Sequence, residues 1–324
     1  MQDEVHLIDL FQARARLRGH IRHTPLVASP SLSRHTGGAV HLKLDCLQIT
    51  GSFKLRGALN ALLQLDPEAR TRGVIGVSTG NYGRALAHAA HSMGVRAVIC
   101  MSRLVPANKV ESIRALGADV RIVGDSQDEA ELEVARLVRE QGLIQLPPFD
   151  HPDVVAGQGT AGLEMLEDLP TVDTVLVPLS GGGLLAGIAL AMKSANPDIR
   201  VIGVSMERGC AMHASLRAGH PVQVEELPTL ADSLGGGIGL GNRYTFPMVK
   251  RLVDETVLVS EDEIAAAIRH TYVEERVIVE GAGAVGIAAL LGGHVKAGEV
   301  TAVVLSGQNI DMATHRRILD GESR

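Results

Sequence analysis

The sequence predicts an α/β protein of two domains, each a mostly parallel sheet flanked by helices. Three observations lead there. Short Val- and Ile-rich runs recur along the chain, too continuously apolar to be half-exposed strands. Segments with helical periodicity lie between them. The chain has 324 residues, 45% of them hydrophobic, which suggests about two domains with sizeable cores. Those cores must be aliphatic, because Trp is absent and aromatics make up 2% of the chain.

In chain order, the strand candidates are AVHLKLD (39–45), GVIGVST (73–79), RAVICM (96–101), DVRIVG (119–124), TVLVPLS (174–180), RVIGVSM (200–206), ETVLVS (255–260) and VTAVVLSG (300–307). Each is a short β-branched run closed by Gly, Ser, Thr or Asp, which is the strand signal. The segments SFKLRGALNALLQL, NYGRALAHAAHSMG, PANKVESIRALG, SQDEAELEVARLVREQG, TAGLEMLEDL, LLAGIALAMKSA and EDEIAAAIRHTYVEE read as helices between them. The two prolines of QLPPFDHP (145–152) interrupt the alternation. Residues 76–150 are therefore expected to form a small mobile domain of βα units, with 1–75 and 151–324 making the large one. Ligands in such sheets sit at the carboxyl ends of strands.

Composition excludes several classes. Net charge is −6 and the arginines are scattered among acids, so no basic stripe for nucleic acid is expected. No run of 18 or more apolar residues suggests a membrane span, and MQDEVHLIDLFQARARLRGHI is charged and helical rather than signal-like. Cys46, Cys100 and Cys210 lie far apart with no CxxC, which reads as spare thiols in a reducing, cytoplasmic setting. His88 and His91 share a helix face without a third ligand, so no metal site is expected.

Four motifs carry chemistry. LQITGSFKLRGA (47–58) places Lys54, one of six lysines, at a Gly-Ser-Phe junction opening a helix. SGGGLLAGIAL (180–190) puts three glycines between a buried strand and a helix, where N–H groups and the helix N-terminus favour an anion such as a phosphate. VSTGNYGRALAHAA (77–90) ends a strand in Ser78, Thr79, Gly80 and Asn81; helix capping is the plain alternative to ligand binding there. VVLSGQNID (303–311) ends another in Ser306, Gly307, Gln308 and Asn309, and turn chemistry alone could explain it. GAGAVG (281–286) matches a dinucleotide fingerprint, but no acid stands at the tip of the following strand, so close helix packing is the expected use of those glycines.

A lone lysine, a phosphate cradle and polar strand ends together suggest pyridoxal 5′-phosphate, which needs a lysine, a phosphate anchor, a donor for the ring hydroxyl and a partner for the ring nitrogen. With GSFKLRGA as its most specific motif, and from HTPLVASPSLS (23–33) to SGQN (306–309), the chain resembles the fold type II (tryptophan synthase β-like) enzymes that use this cofactor, specifically the threonine/serine dehydratase and serine racemase family. The resemblance implies that Lys54 is the Schiff-base lysine, with Phe53 near the cofactor ring. It implies that Asn81 donates to the ring hydroxyl, that Gly181, Gly182, Gly183 and Leu184 form the phosphate loop, and that the Ser306 hydroxyl faces the ring nitrogen. Ser78, Thr79, Gly80, Asn81 and Tyr82 would hold the substrate carboxylate through their amides. Thr79 falls where the family has a serine on the opposite cofactor face, which implies weak racemisation. The implied reaction is β-elimination from a β-hydroxy amino acid to a 2-oxo acid and ammonia, in a homodimer.

The chain departs from the family in two places. The asparagine loop reads Ser78-Thr79-Gly80-Asn81-Tyr82 instead of Ser-Ser-Gly-Asn-His, and STGNYGRALA is most similar to the dehydratases of hydroxyectoine utilisation, implying a hydroxylated diamino acid as substrate. The family's cation site would fall at Ser205 and Ala211, which cannot supply its carboxylates, so no Mg²⁺ or Ca²⁺ is expected. A C-terminal regulatory domain is not expected either. Glu280 and Arg276 read either as distal substrate contacts or as a surface ion pair. Serine/threonine dehydratase, 3-hydroxyaspartate ammonia-lyase, serine racemase, a silent cofactor-binding scaffold and an NAD-dependent oxidoreductase are the alternatives.

Overall fold

The computed structural model describes residues 4–78, 80–103, 105, 107–125 and 127–322. Ten strands form two sheets: β1 (Leu26–Ala28), β2 (Ala39–Lys43), β3 (Val74–Val77), β4 (Ala97–Met101), β5 (Asp119–Ile122), β6 (Ile144–Gln145), β7 (Thr174–Pro178), β8 (Arg200–Met206), β9 (Glu255–Val259) and β10 (Val300–Val304). The six-stranded sheet runs β1-β2-β10-β7-β8-β9, and the four-stranded sheet runs β5-β4-β3-β6. Every pairing is parallel except β1 with β2, where Leu26 stands opposite Lys43.

All eight expected strands are present. β1 and β6 were not legible, because three- and two-residue strands carry no periodicity and both abut prolines. Several observed strands also stop short of their apolar runs. β3 ends at Val77 rather than residue 79, β7 at Pro178 rather than 180, and β10 at Val304 rather than 307. The polar tips of β7 and β10, and Ser78 after β3, leave the ladder as loop at the carboxyl edge where ligands bind in such sheets.

Helices cover both faces of each sheet. Pro152–Asp168 and Gly183–Ala195 pack on one face of the large sheet, and Glu261–Val273 and Gly281–Leu291 on the other. The first pair touches backbone to backbone: a Cβ on Gly187 would meet the Gly159 nitrogen at 2.6 Å. Such proximity brings the start of the Gly183 helix close to the Pro152 helix. Helix Lys54–Gln64 lies between the two sheets. Leu55, Ala58, Leu59 and Leu62 join the small-sheet core, while its opposite side packs on Pro152–Asp168.

That helix is fixed by a buried charge network. Arg56 is fully buried; its Nε donates to Asp45 at 2.8 Å and its Nη1 to Glu164 at 2.6 Å. Nη2 donates to both carboxylates at 2.8 Å. Lys43, also fully buried, donates to Glu164 at 2.6 Å and to the Thr24 carbonyl at 2.7 Å. Burial opposes the charge on Arg56, but the two carboxylates outweigh it and hold its pKa above the ordinary value. The network clamps the end of β2 and helix Pro152–Asp168 onto the turn that begins with Lys54.

Candidate active site

The segment Thr50–Phe53 is held by the loop that follows β10. Ser52 forms an isolated bridge with Gly307, Phe53 N–H donates to the Ser306 carbonyl at 3.0 Å, and Gln308 N–H donates to the Gly51 carbonyl at 2.9 Å. Asn309 Nδ2 donates to the Thr50 carbonyl at 3.0 Å. Gly51 has φ +76°, a left-handed turn that suits glycine. The helix then starts at Lys54. Lys54 Nζ donates to the Pro148 carbonyl at 3.2 Å and lies 5.1 Å from the centre of the Phe53 ring. Burial depresses its pKa to about 8, against the partial support of the Glu280 carboxyl. A minor but usable fraction of the amine is therefore neutral near physiological pH, far more than at an ordinary lysine, and that form is nucleophilic and basic.

Asn81 is the hub of the polar strand tips. It opens the helix Asn81–Ser92; its Oδ1 accepts from Asn309 Nδ2 at 2.6 Å, and its Nδ2 donates to Glu280 at 2.6 Å and to Ser233 Oγ at 3.4 Å. Glu280 is 4% exposed, and burial, with Asp232 adding repulsion, pushes its carboxyl up to about 7. Glu280 is thus a cleft residue and not half of a surface pair with Arg276, which is exposed and has a left-handed φ of 59°. Ser78 Oγ accepts from the N–H groups of Gly80 at 3.1 Å and Gly83 at 2.7 Å, so this hydroxyl caps the helix. The Tyr82 hydroxyl donates to the Leu146 carbonyl at 2.7 Å and its side chain is buried in the small-sheet core, leaving only its main chain at the strand tip. Thr79 lies outside the described residues.

The glycine loop provides the third wall. Gly182 has φ +86° and caps helix Gly183–Ala195 without a side-chain hydrogen bond. Phe149 packs so close to Gly181 and Gly183 that neither could carry a side chain without displacing it. The loop is therefore bare backbone at a helix N-terminus, a setting that favours an anion.

Phe53, Lys54, Asn81, Gly181, Gly182, Gly183, Leu184 and Ser306 converge on one cleft. Ser78, Gly80 and Tyr82 stand beside it and do not line it. Gln158, Ser233 and Phe149 line it too, and nothing in the motifs pointed to them. For Gln158 a signal existed: AGQGTAG sets a carboxamide among small residues in the middle of a helix. The GAGAVG segment is the start of helix Gly281–Leu291, preceded by loop rather than strand, and a Cβ on Gly286 would meet Val303 at 2.6 Å. Its glycines serve packing, as expected. Among the described residues no helix is long and apolar enough to cross a membrane.

Comparison with known proteins agrees with this geometry. Residues 17–307 match the family described as pyridoxal-phosphate dependent enzymes. The chain is 62% identical over 314 residues to a putative threonine dehydratase of Sinorhizobium fredii, covering 97% of this chain and 95% of the relative. It is 44% identical over 316 residues to an L-threonine ammonia-lyase of Thermotoga maritima, covering 98% and 78%. The solved structure of maize serine racemase superposes with a TM-score of 0.92 at 33% identity, covering 98% of this chain and 97% of that one. The chain belongs to the family of pyridoxal-phosphate dependent enzymes, with the type II fold, and its cofactor is pyridoxal 5′-phosphate. The cleft fits that group. It joins a lysine of lowered pKa to an uncapped helix start, and one side chain of its lining, Gln158, has both polar atoms buried with no protein partner.

Proposed function

We propose that this pyridoxal-phosphate dependent enzyme is an ammonia-lyase of the threonine-dehydratase type, which converts a β-hydroxy amino acid to a 2-oxo acid and ammonia. One observation carries the reading: Lys54, an amine brought down to about 8, faces the same cleft as an uncapped anion cradle. The names of the relatives, threonine dehydratase and L-threonine ammonia-lyase, support it.

Bound in the cleft, the cofactor supplies an electron sink for charge developing at Cα. The side chains supply the rest. Lys54 holds the cofactor and, once displaced by the substrate's amine, takes the Cα proton at Nζ; at its ordinary pKa it would stay charged and could not. Gly181, Gly182, Gly183 and Leu184 hold the phosphate through main-chain N–H groups, Asn81 holds the ring hydroxyl, and Phe53 flanks the ring. The neutral Ser306 hydroxyl would face the ring nitrogen without fixing a proton there. The β-hydroxyl would leave with a proton as water, and the Lys54 amine would take back its place to free an enamine, whose imine form water hydrolyses to the 2-oxo acid and ammonia. The main chain from Ser78 to Tyr82 receives the substrate carboxylate, and Thr79 allows slow racemisation. We take residues 76–150 to close over the substrate as a body, and the enzyme to act as a cytoplasmic homodimer.

We assign the substrate to the hydroxylated diamino acids, such as a 3-hydroxy-2,4-diaminobutyrate from hydroxyectoine breakdown. The STGNYGRALA loop motivates this, and the Glu280 carboxyl in the cleft suits a second amine. The test is 2-oxo acid release from that compound, L-threonine, L-serine and 3-hydroxyaspartate. The expected result is a kcat/KM for the diamino acid about tenfold or more above that for L-threonine. A lead for L-threonine would make the enzyme a threonine dehydratase. No 2-oxo acid from any of the four would remove the reaction itself.

A further inference from the structure

Gln158 is polar, 1% exposed, and set in the middle of a helix buried along most of its length. Both its Oε1 and its Nε2 are buried without a hydrogen-bond partner in the protein. A carboxamide with both ends unmet is costly, and native folds rarely leave one so. It cannot swing out to water: the Lys54 helix presses on it so closely that a Cβ on Gly57 would stand 2.5 Å from Nε2. Yet the side chain lines the cleft shared by Lys54 and the glycine loop.

Its place in the fold says which end of the cofactor it meets. Gly159, the next residue, lies against Gly187, one turn beyond the start of helix Gly183–Ala195. Gln158 therefore sits where the Lys54 helix, the Pro152–Asp168 helix and the uncapped helix start come together. The polar groups assigned to the cofactor ring, Asn81 and Ser306, belong to other strand tips. An anion at the loop can take donors beyond the main-chain N–H groups, and a carboxamide gives two without adding charge.

We propose that Gln158 is a cofactor-positioning residue whose carboxamide binds the phosphate end of pyridoxal phosphate, so that the cofactor completes a hydrogen-bond set the protein leaves open. This rests on the glycine loop being the phosphate cradle. It predicts an unusual combination for Gln158→Leu, a change of similar volume that removes both orphaned atoms: the cofactor-free protein keeps or gains stability while losing affinity for the cofactor.

The experiment titrates the cofactor-free full chain with pyridoxal phosphate and, separately, with pyridoxal, which lacks the phosphate. Growth of the visible band reports binding, and thermal unfolding is followed without ligand. For Gln158→Leu, and for the unbranched Gln158→Met should leucine not fold, the Kd for pyridoxal phosphate is expected to rise on the order of ten- to a hundredfold. The Kd for pyridoxal should stay within about twofold, and the melting temperature should not fall. An unchanged Kd for pyridoxal phosphate, or an equal loss for both ligands, would overturn the role of Gln158 alone. A wild-type protein that does not prefer pyridoxal phosphate to pyridoxal would remove the cradle, and Gln158 with it.

Discussion

Arg56 and Lys54 stand two residues apart on one helix, both taken out of bulk water, and their surroundings treat them in opposite ways. Arg56 has carboxylates or hydroxyls on Nε, Nη1 and Nη2, and its pKa is driven up. Lys54 has one carbonyl at 3.2 Å and a carboxyl, Glu280, that is itself pushed toward neutrality, and its pKa is driven down to about 8. The first arrangement spends its polar groups on each other and fixes the helix. The second leaves them short of partners and so available to a ligand. Satisfied burial builds position, and unsatisfied burial, held in place by it, builds reactivity.

The contrast breaks most sharply at the lysine. Lys54→Met is expected to cut turnover by roughly a thousandfold or more, because no other amine lines the cleft. The same change should leave the cofactor-free protein as stable as the wild type or more so. Steady-state assay and urea unfolding of one preparation test both halves; a strong loss of stability would mean that Lys54 belongs with Arg56. Arg56→Met should do the reverse. It strands Asp45 in the interior, leaves Glu164 with Lys43 alone, and is expected to cost about 3–5 kcal/mol of unfolding free energy in urea. The fraction that remains folded should keep its kcat.

A smaller effect sharpens the comparison through pH. Glu280 titrates near 7 in the fold and at an ordinary 4.5 when unfolded, so the folded state binds the extra proton between those values. Stability of the cofactor-free protein should fall as pH rises through that window, by on the order of 1 kcal/mol per unit. Lys54 has the opposite sign. The folded state holds fewer protons between about 8 and 10.5, so stability should climb again there. Unfolding free energy against pH should show a trough between 7 and 8. Glu280→Gln should remove its acid wall and Lys54→Met its alkaline wall; a profile unchanged by either variant would mean that these groups do not titrate as their burial implies.

Sequence carried much of this and missed the rest for physical reasons. The eight longer strands were legible because a buried parallel sheet writes itself as unbroken apolar runs. The glycine loop, Lys54, Asn81 and Ser306 stood out only when their motifs were taken together with the family they resemble, since capping and turn chemistry explain the polar strand tips one at a time. Gln158 and Glu280 were not assigned, since their roles depend on which helices close around them. Gln158 is closed in by Gly57, on a helix far away in the chain. Glu280 lies behind a glycine-rich stretch that drew attention as a dinucleotide motif, and its meaning comes from Asn81 on another sheet. Ser78 and Tyr82 lie beside the cleft, but the helix cap and the core claim their side chains.

The strand order has a consequence for how the enzyme comes into being. β10, the last of the described strands in chain order, is wedged between β2 and β7 rather than added at an edge. The residues just beyond it tether the Lys54 segment through Phe53, Gly51 and Thr50. Until β10 slides between its neighbours, the six-stranded sheet lacks an inner slat and the Lys54 segment lacks these tethers, so reactivity at the lysine is expected to wait on a late strand.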